Sequence, residues 1–119
     1  MALKIYVYSK CSTCRQAMKW LDEHNLPHDV IDLVKNTPSK EELLELMKIS
    51  EFKPRQFFNT RGRVYRERQL KDKAPNMTAE EIAEELSTDG MLIKRPIVTD
   101  GDKVTIGFNE ETFTNTWKK

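Results

Sequence analysis

The fold of this chain is decided near its N-terminus by residues 3–14, which read LKIYVYSKCSTC. The segment Leu3–Tyr8 is rich in Ile, Val and Tyr, a composition typical of a β-strand. A helix is predicted to follow from Ser12 to Asn25 because apolar residues recur there at helical spacing. Its apolar face comprises Ala17, Met18, Trp20 and Leu21. A strand that passes through a cysteine pair into a helix indicates an α/β domain with chemistry at the turn.

Three more strands are predicted downstream. A second strand covers His28–Leu33, a third Pro96–Thr99 and a fourth Lys103–Ile106. Asp100-Gly101 between the last two predicts a two-residue hairpin turn, and hence an antiparallel pair. The first two strands are joined by a helix, which favours a parallel pair.

Four more helices complete the predicted fold, a mixed four-stranded α/β sheet with helices on both faces. Two of them are predicted to begin with a capping box, in which a hydroxyl residue is followed three positions later by Glu. These pairs are Ser39 with Glu42 and Thr78 with Glu81, the second helix ending near Ser87. The other two are a short helix at Pro54–Phe58 and a last one from Asn109 through Trp117. We predict one domain, 1–119, with a helical insertion at about 39–87.

Composition excludes several classes of protein. The chain has 119 residues, of which 38% are hydrophobic and 33% charged, with a net charge of +1. No apolar run approaches the roughly 18 residues needed to cross a membrane, and the N-terminus does not resemble a signal peptide. We therefore expect a cytoplasmic protein, a monomer, with no partner membrane and no overall charge that favours nucleic acid. Two cysteines are too few for a disulfide scaffold, so redox or metal chemistry is more in keeping with them.

The strongest chemical signal is Cys11-Ser12-Thr13-Cys14 at the predicted start of a helix. Free N–H groups and the helix dipole favour an anion there, so a cysteine loses its proton more easily. Lys10 and Arg15 add positive charge, and the backbone N–H groups of Ser12 and Thr13 could hold an anion. The three-residue spacing puts both sulfurs on one face. Cys11 is the expected exposed nucleophile and Cys14 the resolving thiol.

Three other interpretations of the cysteine pair stay open. The two thiols could have no special role, or Cys14 could be a buried core residue while only Cys11 reacts. The pair could also bind zinc together with His24 and His28. A continuous helix, however, would separate Cys11 from His24 by roughly 20 Å, which one tetrahedral site cannot span. We therefore predict no metal site, and expect the histidines to be surface residues at a helix end.

Arg95-Pro96 is the second signal, because proline is unusual at the entry to a buried strand. We expect Pro96 to be a candidate for a cis peptide bond that turns the preceding backbone toward the cysteines. Arg95 would then favour the Cys11 thiolate and bind an oxyanion through its guanidinium. Alternatively, Arg95 is an exposed residue at a strand edge.

A basic belt runs from Lys53 to Lys73. Its eight cations outweigh two acids, Glu67 and Asp72, giving a local charge of 8 − 2 = +6. The cations are Lys53, Arg55, Arg61, Arg63, Arg66, Arg68, Lys71 and Lys73. The belt could bind an anion, a nucleic acid or an acidic partner. We favour a solvated face balanced by the acidic helix of Glu80, Glu81, Glu84 and Glu85.

Together these stretches resemble the arsenate-reductase-like (ArsC/Spx) family over nearly the whole chain. The resemblance rests on the Cys-x-x-Cys turn, on Ile93–Val98 and on Val104–Glu110, with Phe58–Thr60 and Asp89–Pro96 most similar to small Gram-positive members. It implies a thioredoxin-like fold with an inserted helical lobe. It also implies one of two activities: glutaredoxin-coupled arsenate reduction, or the redox switch of Spx-type transcriptional regulators.

The resemblance assigns roles to individual residues. Cys11 matches the family nucleophile, and Arg95 matches the arginine before the strand proline. Asn59 stands where the reductases have an arginine in the helical lobe, with Arg61 close by as a substitute oxyanion ligand. No arginine stands near Gly107-Phe108, where the reductases have another. Cys14 fits a switch or a dithiol mechanism, since those reductases often lack it.

These roles lead to three functional hypotheses. The first is a thiol oxidoreductase that binds no cofactor and uses glutathione or another thiol as co-substrate, with glutaredoxin or thioredoxin as partner. The second is a redox-sensing regulator that binds the C-terminal domain of the RNA polymerase α-subunit. The third is a glutathione-binding relative without activity.

Overall fold

The computed structural model of the chain describes residues 3–118, which form two compact units. One unit combines the N-terminal part up to Asp32 with the C-terminal part from Arg95, and the other is Leu33–Lys94. The helical segment is therefore longer at both ends than the predicted insertion at about 39–87. The prediction of one domain stays a prediction.

The sheet is mixed and four-stranded, as predicted. Its strands are β1 (Leu3–Val7), β2 (His28–Asp32), β3 (Ile97–Thr99) and β4 (Val104–Ile106). They lie in the order β2-β1-β3-β4, with β1 and β2 parallel and the pairs β1–β3 and β3–β4 antiparallel. This β-α-β and β-β-α arrangement is the thioredoxin-like sheet that the resemblance implies.

The described residues contain six α-helices and three short 3₁₀ segments. The α-helices are α1 (Ser12–Glu23), α2 (Lys40–Ile49), α3 (Arg63–Glu67), α4 (Leu70–Lys73), α5 (Ala79–Ser87) and α6 (Glu110–Trp117). The 3₁₀ segments are Pro54–Phe57, Ala74–Asn76 and Gly90–Leu92. None of the helices in residues 3–118 combines the length and apolar character that crossing a bilayer requires.

The core of the sheet unit lies where α1 and α6 cover β1. Ile5, Leu21 and Phe113 are completely buried in it. The Phe113 ring packs edge-to-face with two other rings. Its centroid lies 5.3 Å from that of Trp20 and 4.8 Å from that of Phe108. Such edge-to-face pairs add to the stabilisation from burial alone. This packing holds the start of α1, and therefore the cysteine turn, against the sheet.

The hairpin prediction was wrong in its loop length. Thr99 pairs with Val104, so the loop has four residues, Asp100–Lys103, rather than the two of Asp100-Gly101. The reason is a side-chain hydrogen bond network. Asp100 Oδ1 accepts from the backbone N–H groups of Asp102 and Lys103, at 2.9 Å each. Thr99 Oγ1 also donates to the Lys103 carbonyl at 2.7 Å. These bonds close a wider turn than Asp-Gly alone predicts.

Other predicted boundaries shift by one or two residues. Helix α1 ends at Glu23, since Asn25 has a left-handed φ of 56°. Strand β2 ends at Asp32, before Leu33, and β3 begins at Ile97, one residue after Pro96.

In the helical unit, side-chain caps determine where the two longest helices begin. Ser39 Oγ accepts from Glu42 N–H at 3.1 Å, which starts α2. Thr78 and Glu81 form the complete predicted capping box, with bonds of 3.1 and 2.8 Å, which starts α5. Helices α2 and α5 pack together through buried leucine, methionine and isoleucine side chains, so these caps orient the unit's core.

Candidate functional site

Cys11 is the residue immediately before α1, and its sulfur caps the helix. The backbone N–H of Cys14 donates to Cys11 Sγ at 3.2 Å. The Cys11 carbonyl accepts from Arg15 N–H at 3.2 Å, and its own N–H donates to the Tyr8 carbonyl at 3.1 Å. Cys11 is only half-buried, so its sulfur combines access for a reactant with a backbone N–H donor at the start of a helix.

Cys14 lies one turn inside α1 and is fully buried. Both cysteines are free thiols in this structure. Burial, followed by the hydrogen bond between the two cysteine side chains, raises the pKa of Cys14 to about 12. A backbone hydrogen bond from Tyr8 and the charge of Arg95 act in the opposite direction but are weaker. Cys14 therefore stays a protonated thiol at neutral pH.

Arg95 reaches the cysteine turn because of the strand register. Tyr6 pairs with Ile97 in the antiparallel β1–β3 ladder, and extending this register puts Tyr8 opposite Arg95. The Arg95 guanidinium carbon lies 4.9 Å from the centre of the Tyr8 ring, a cation–π contact. The Arg95–Pro96 peptide bond is cis. The structure thus brings Cys11, Cys14 and Arg95 into one region, where Arg95 is half-buried rather than exposed.

Tyr8 is a site residue that the sequence analysis did not single out. The Arg95 guanidinium lies over the Tyr8 ring. The Tyr8 carbonyl accepts a hydrogen bond from the Cys11 N–H, and the Tyr8 backbone forms a hydrogen bond with the Cys14 sulfur. In the sequence it was only the last residue of a predicted strand. The strand register would have identified it. Tyr6 pairs with Ile97 in the antiparallel ladder, so Tyr8 lies opposite Arg95.

The other predicted anion ligands differ in position. Lys10, Ser12 and Arg15 are exposed around the turn, and Thr13 is half-buried. Arg15 Nη1 donates to the Ser9 carbonyl at 3.3 Å, so this cation braces the turn. Arg61 belongs to the helical unit, where its carbonyl accepts from Arg66 Nη1 at 3.2 Å.

His24 and His28 have local structural roles. The His24 ring stacks on Trp20 with centroids 3.9 Å apart, and His24 Nδ1 donates to the Trp20 carbonyl at 2.8 Å. His28 Nδ1 donates to the Leu26 carbonyl at 2.8 Å. Between residues 3 and 118, no three side chains of metal-binding type come together.

The basic belt is paired with acidic residues at two points. Arg68 forms an ion pair with Glu85 of α5 and donates to Thr88 Oγ1 at 2.8 Å. Arg63 meets Glu67 within α3 at 3.7 Å. Arg68 is thus the belt cation that, within the described residues, forms an ion pair with the acidic helix. The expected balance between belt and helix is only partial.

Similarity to known proteins agrees with this fold. Residues 6–116 match the model of the ArsC family. The chain is 50% identical to the uncharacterized protein YusI of Bacillus subtilis, over 98% of this chain and 99% of YusI. It is 27% identical to the global transcriptional regulator Spx of Streptococcus agalactiae, over 92% and 78% of the two chains.

Two solved structures extend the similarity to three dimensions. An ArsC family related protein of Bacteroides fragilis superposes with a TM-score of 0.91, at 39% identity and 97% coverage of both chains. A possible arsenate reductase of Streptococcus mutans superposes with a TM-score of 0.85, at 39% identity and coverage of 93% and 96%. With the family model matched over most of its length and its fold shared with these relatives, this chain belongs to the ArsC family.

Proposed function

We propose that this chain is a cytoplasmic thiol–disulfide oxidoreductase in which Cys11 is the nucleophile and Cys14 the resolving thiol. One observation carries the proposal: the half-buried Cys11 sulfur caps α1, accepts the Cys14 N–H and is hydrogen-bonded to the Cys14 thiol. The likeness to a possible arsenate reductase supports an enzymatic reading. Arg95 adds a permanent positive charge that acts on the Cys14 sulfur.

The proposed reaction is two successive thiol–disulfide exchanges. The Cys11 thiolate attacks one sulfur of a substrate disulfide, which forms a mixed disulfide and releases the first substrate thiolate. Cys14 loses its proton to solvent and attacks Cys11 Sγ, which forms the Cys11–Cys14 disulfide and releases the second. Two molecules of glutathione or another thiol then reduce the pair and leave as a disulfide. In the net reaction, two molecules of the reducing thiol and one substrate disulfide give two substrate thiols and one disulfide of the reductant.

The high pKa of Cys14 fits this order of events. Two of the influences that raise it come from Cys11: the hydrogen bond between the side chains and the charge on the Cys11 sulfur. Both are lost once Cys11 carries a substrate, whereas the nearby Arg95 charge stays. Cys14 then becomes easier to deprotonate at the step that needs its thiolate. Before that step it stays protonated and cannot compete with Cys11.

The test is turnover of bis(2-hydroxyethyl) disulfide by the full chain with glutathione, with and without glutaredoxin. We expect Cys11→Ser to abolish the rate, and Cys14→Ser to accumulate a mixed disulfide at Cys11 that peptide mass mapping detects. Arg95→Ala is expected to slow alkylation of Cys11 by iodoacetamide several-fold at pH 7. Lys19→Ala, an exposed cation on the far part of α1, is the matched control and should change nothing.

The proposal fails if no mixed disulfide forms at Cys11 or if the Cys11→Ser rate equals that of the wild type. Arsenate in place of the disulfide tests the oxyanion form of the same chemistry. In that form Arg95, Lys10, Arg15 and the N–H groups of Ser12 and Thr13 are the proposed anion ligands, with Arg61 as a further candidate. If the rate with arsenate does not depend on Cys11, the oxyanion form is excluded, whereas the proposed disulfide reaction is not.

A redox-sensing regulator is the second candidate, favoured by the similarity to Spx together with the paired cysteines. In this reading the Cys11–Cys14 disulfide changes the surface that binds the C-terminal domain of the RNA polymerase α-subunit. A pull-down with that domain is expected to recover reduced and oxidised protein to different extents. The Cys11→Ser, Cys14→Ser double variant should lose the difference. Absence of binding in both redox states would exclude this candidate.

A further inference from the structure

The helical unit contains a cavity of about 340 Å³ that is rich in positive charge. Three of its nine lining residues are cations, Arg55, Lys71 and Lys94, and none is acidic. We call this space the cationic cavity. Its volume falls in the range of small-molecule sites, roughly 300–1,000 Å³.

The side chains of the three cations of the cationic cavity have no partner among the described residues. Across residues 3–118, no ion pair or side-chain hydrogen bond involves Arg55, Lys71 or Lys94. In the basic belt, to which Arg55 and Lys71 belong, Arg63 and Arg68 do pair with carboxylates. Three converging unpaired cations repel one another, and a bound anion would relieve that repulsion.

The backbone that carries two of these cations is firmly held. Lys94 N–H donates to the Phe57 carbonyl at 2.8 Å, and Asn59 N–H donates to the Leu92 carbonyl at 2.7 Å. These bonds flank the bridge between Phe58 and Ile93. Arg55 lies in the adjoining 3₁₀ segment. Backbone pairing therefore fixes the main chain at Arg55 and Lys94, two of the three cations that line the cavity.

Aromatic residues line the base of the cationic cavity, and one of them offers a polar group. Phe58 is 1% exposed and Tyr65 8% exposed, with ring centroids 5.5 Å apart. The Tyr65 hydroxyl has no hydrogen-bond partner in residues 3–118. Every buried polar side-chain atom in this range does have a hydrogen-bond partner. The hydroxyl is therefore not a buried unpaired group, and Tyr65 is one of the residues that line the cavity.

A second cavity of about 200 Å³ adjoins the first. The two cavities share Arg55, Ala74 and Pro75, and the second continues over Pro54, Met77 and Ile82, with Lys53 as its one other cation. Both cavities are lined by cations together with apolar side chains. That combination suits a ligand with one anionic group and an apolar body.

We propose that the helical unit binds a small organic anion, whose phosphate or carboxylate lies among Arg55, Lys71 and Lys94 and whose apolar body extends over Pro75. Arginine and lysine both bind such groups through charge-assisted hydrogen bonds. The Tyr65 hydroxyl supplies one further donor. The site is independent of the cysteine chemistry.

The test is isothermal titration calorimetry of the full chain with phenyl phosphate, benzoate, inorganic phosphate and phenol. Phenyl phosphate and benzoate distinguish the two anionic groups, whereas inorganic phosphate lacks the apolar body and phenol lacks the charge. We expect an aromatic anion to bind at least several-fold more tightly than inorganic phosphate, and phenol to give no binding. Added salt should weaken the binding.

Variants then locate the site. Arg55→Ala, Lys71→Ala and Lys94→Ala should each raise the Kd about fivefold or more, as expected when a charged partner is lost. All three residues are exposed, so folding should be unaffected. Lys73→Ala is the matched control, because Lys73 is an exposed cation on α4 that does not line either cavity. Tyr65→Phe keeps the ring and removes only the hydroxyl.

Several results would overturn the proposal. The first is that neither aromatic anion binds at about 10 mM. The second is that Lys73→Ala raises the Kd as much as the three cavity variants do. The third is that phenol binds as tightly as the aromatic anions. Binding of an acidic peptide with the same dependence on Lys71, but no binding of the small anions, would replace the small ligand with a protein partner and also overturn it. Cys11→Ser should leave the Kd unchanged, so this test and that of the proposed oxidoreductase fail independently.

Discussion

Two cysteines one helical turn apart occupy very different surroundings. Cys11 is half-buried and accepts a backbone N–H, whereas Cys14 is completely buried among the apolar residues beneath α1. The same spacing that brings their sulfurs together also puts one at the surface and the other in the core. This asymmetry gives each thiol a distinct pH behaviour.

Cys14 should make the stability of the protein depend on alkaline pH. Its pKa is raised from 9.0 to about 12, mainly by burial, so the folded state keeps a proton that the unfolded state loses above pH 9. The free energy of unfolding should therefore fall as pH rises from 9 toward 12, by at most about 1.4 kcal/mol per pH unit from this group.

Urea denaturation at several pH values, comparing wild type with Cys14→Ala, measures this contribution. Lysine and tyrosine residues also titrate in that range, and the comparison subtracts their effect because both proteins share them. The slope should be shallower in Cys14→Ala. Identical slopes in the two proteins would contradict the predicted role of Cys14.

Among the structural elements, the loop between β3 and β4 depends on one carboxylate. Desolvation pushes the pKa of Asp100 upward, but the N–H groups of Asp102 and Lys103 and the Lys103 charge outweigh it, so the pKa lies below 3.8. Asp100→Ala should lower the free energy of unfolding at pH 7 by about 1 kcal/mol, because two backbone donors lose their acceptor.

The pH dependence of this loss has a definite sign. Since the folded-state pKa of Asp100 is lowered, its contribution is present above pH 3.8 and disappears as pH falls through the folded pKa. Chemical denaturation at neutral and acid pH measures the change. Asp102→Ala is the control, since Asp102 takes part through its backbone N–H alone, and a similar loss there would argue against the carboxylate.

The 3₁₀ segment Gly90–Leu92 requires glycine at its first position. A Cβ atom on Gly90 would lie 2.0 Å from the Leu33 carbonyl oxygen, which belongs to the backbone and cannot move aside alone. Gly90→Ala should therefore destabilise the helical unit by more than about 2 kcal/mol, as overpacking in a core does.

Gly62→Ala is a suitable comparison for this substitution. Its new Cβ would meet the amide end of the Asn59 side chain at 2.9 Å, which can rotate away. Thermal unfolding of both variants tests the contrast. Comparable shifts in Tm would mean that the close approach of Gly90 to Leu33 does not govern stability.

Viewed over the whole molecule, the sheet unit is built from two distant parts of the chain. Strands β1 and β2 precede the helical unit in sequence, while β3, β4 and α6 follow it. Phe113 of α6 packs on Trp20 of α1, so it joins the N-terminal and C-terminal parts of one core. Long-range contacts of this kind hold a discontinuous unit together.

Removing the Phe113 ring should therefore destabilise the sheet unit strongly. Phe113→Ala is expected to lower the free energy of unfolding by about 3–5 kcal/mol, the usual cost of truncating a buried aromatic residue. Urea unfolding followed by circular dichroism measures it. Thr114→Ala, at the exposed neighbouring position of α6, should cost far less, and comparable losses would show that the aromatic cluster is not a major source of stability.

Local sequence patterns were sufficient for most of the elements. The Ile, Val and Tyr content predicted β1, and the period of apolar residues predicted α1. Hydroxyl and Asn caps predicted the starts of α2, α5 and α6, because a cap acts between residues three or four apart. Helices α3 and α4 were missed, since charged residues dominate them and no clear apolar period remains. The cysteine pair was likewise a local signal.

Residue types and spacing alone were thus enough to predict the α/β class, the directions within the β1–β2 and β3–β4 pairs, the cysteine pair at the start of α1 and Pro96 at the entry to β3. Only the tertiary structure decided that Tyr8 faces Arg95, that Cys14 is fully buried and that Arg55, Lys71 and Lys94 converge without an acid. The physical reason is that strand register and cavity lining depend on contacts between residues far apart in sequence, whereas caps and helical periods depend on neighbours.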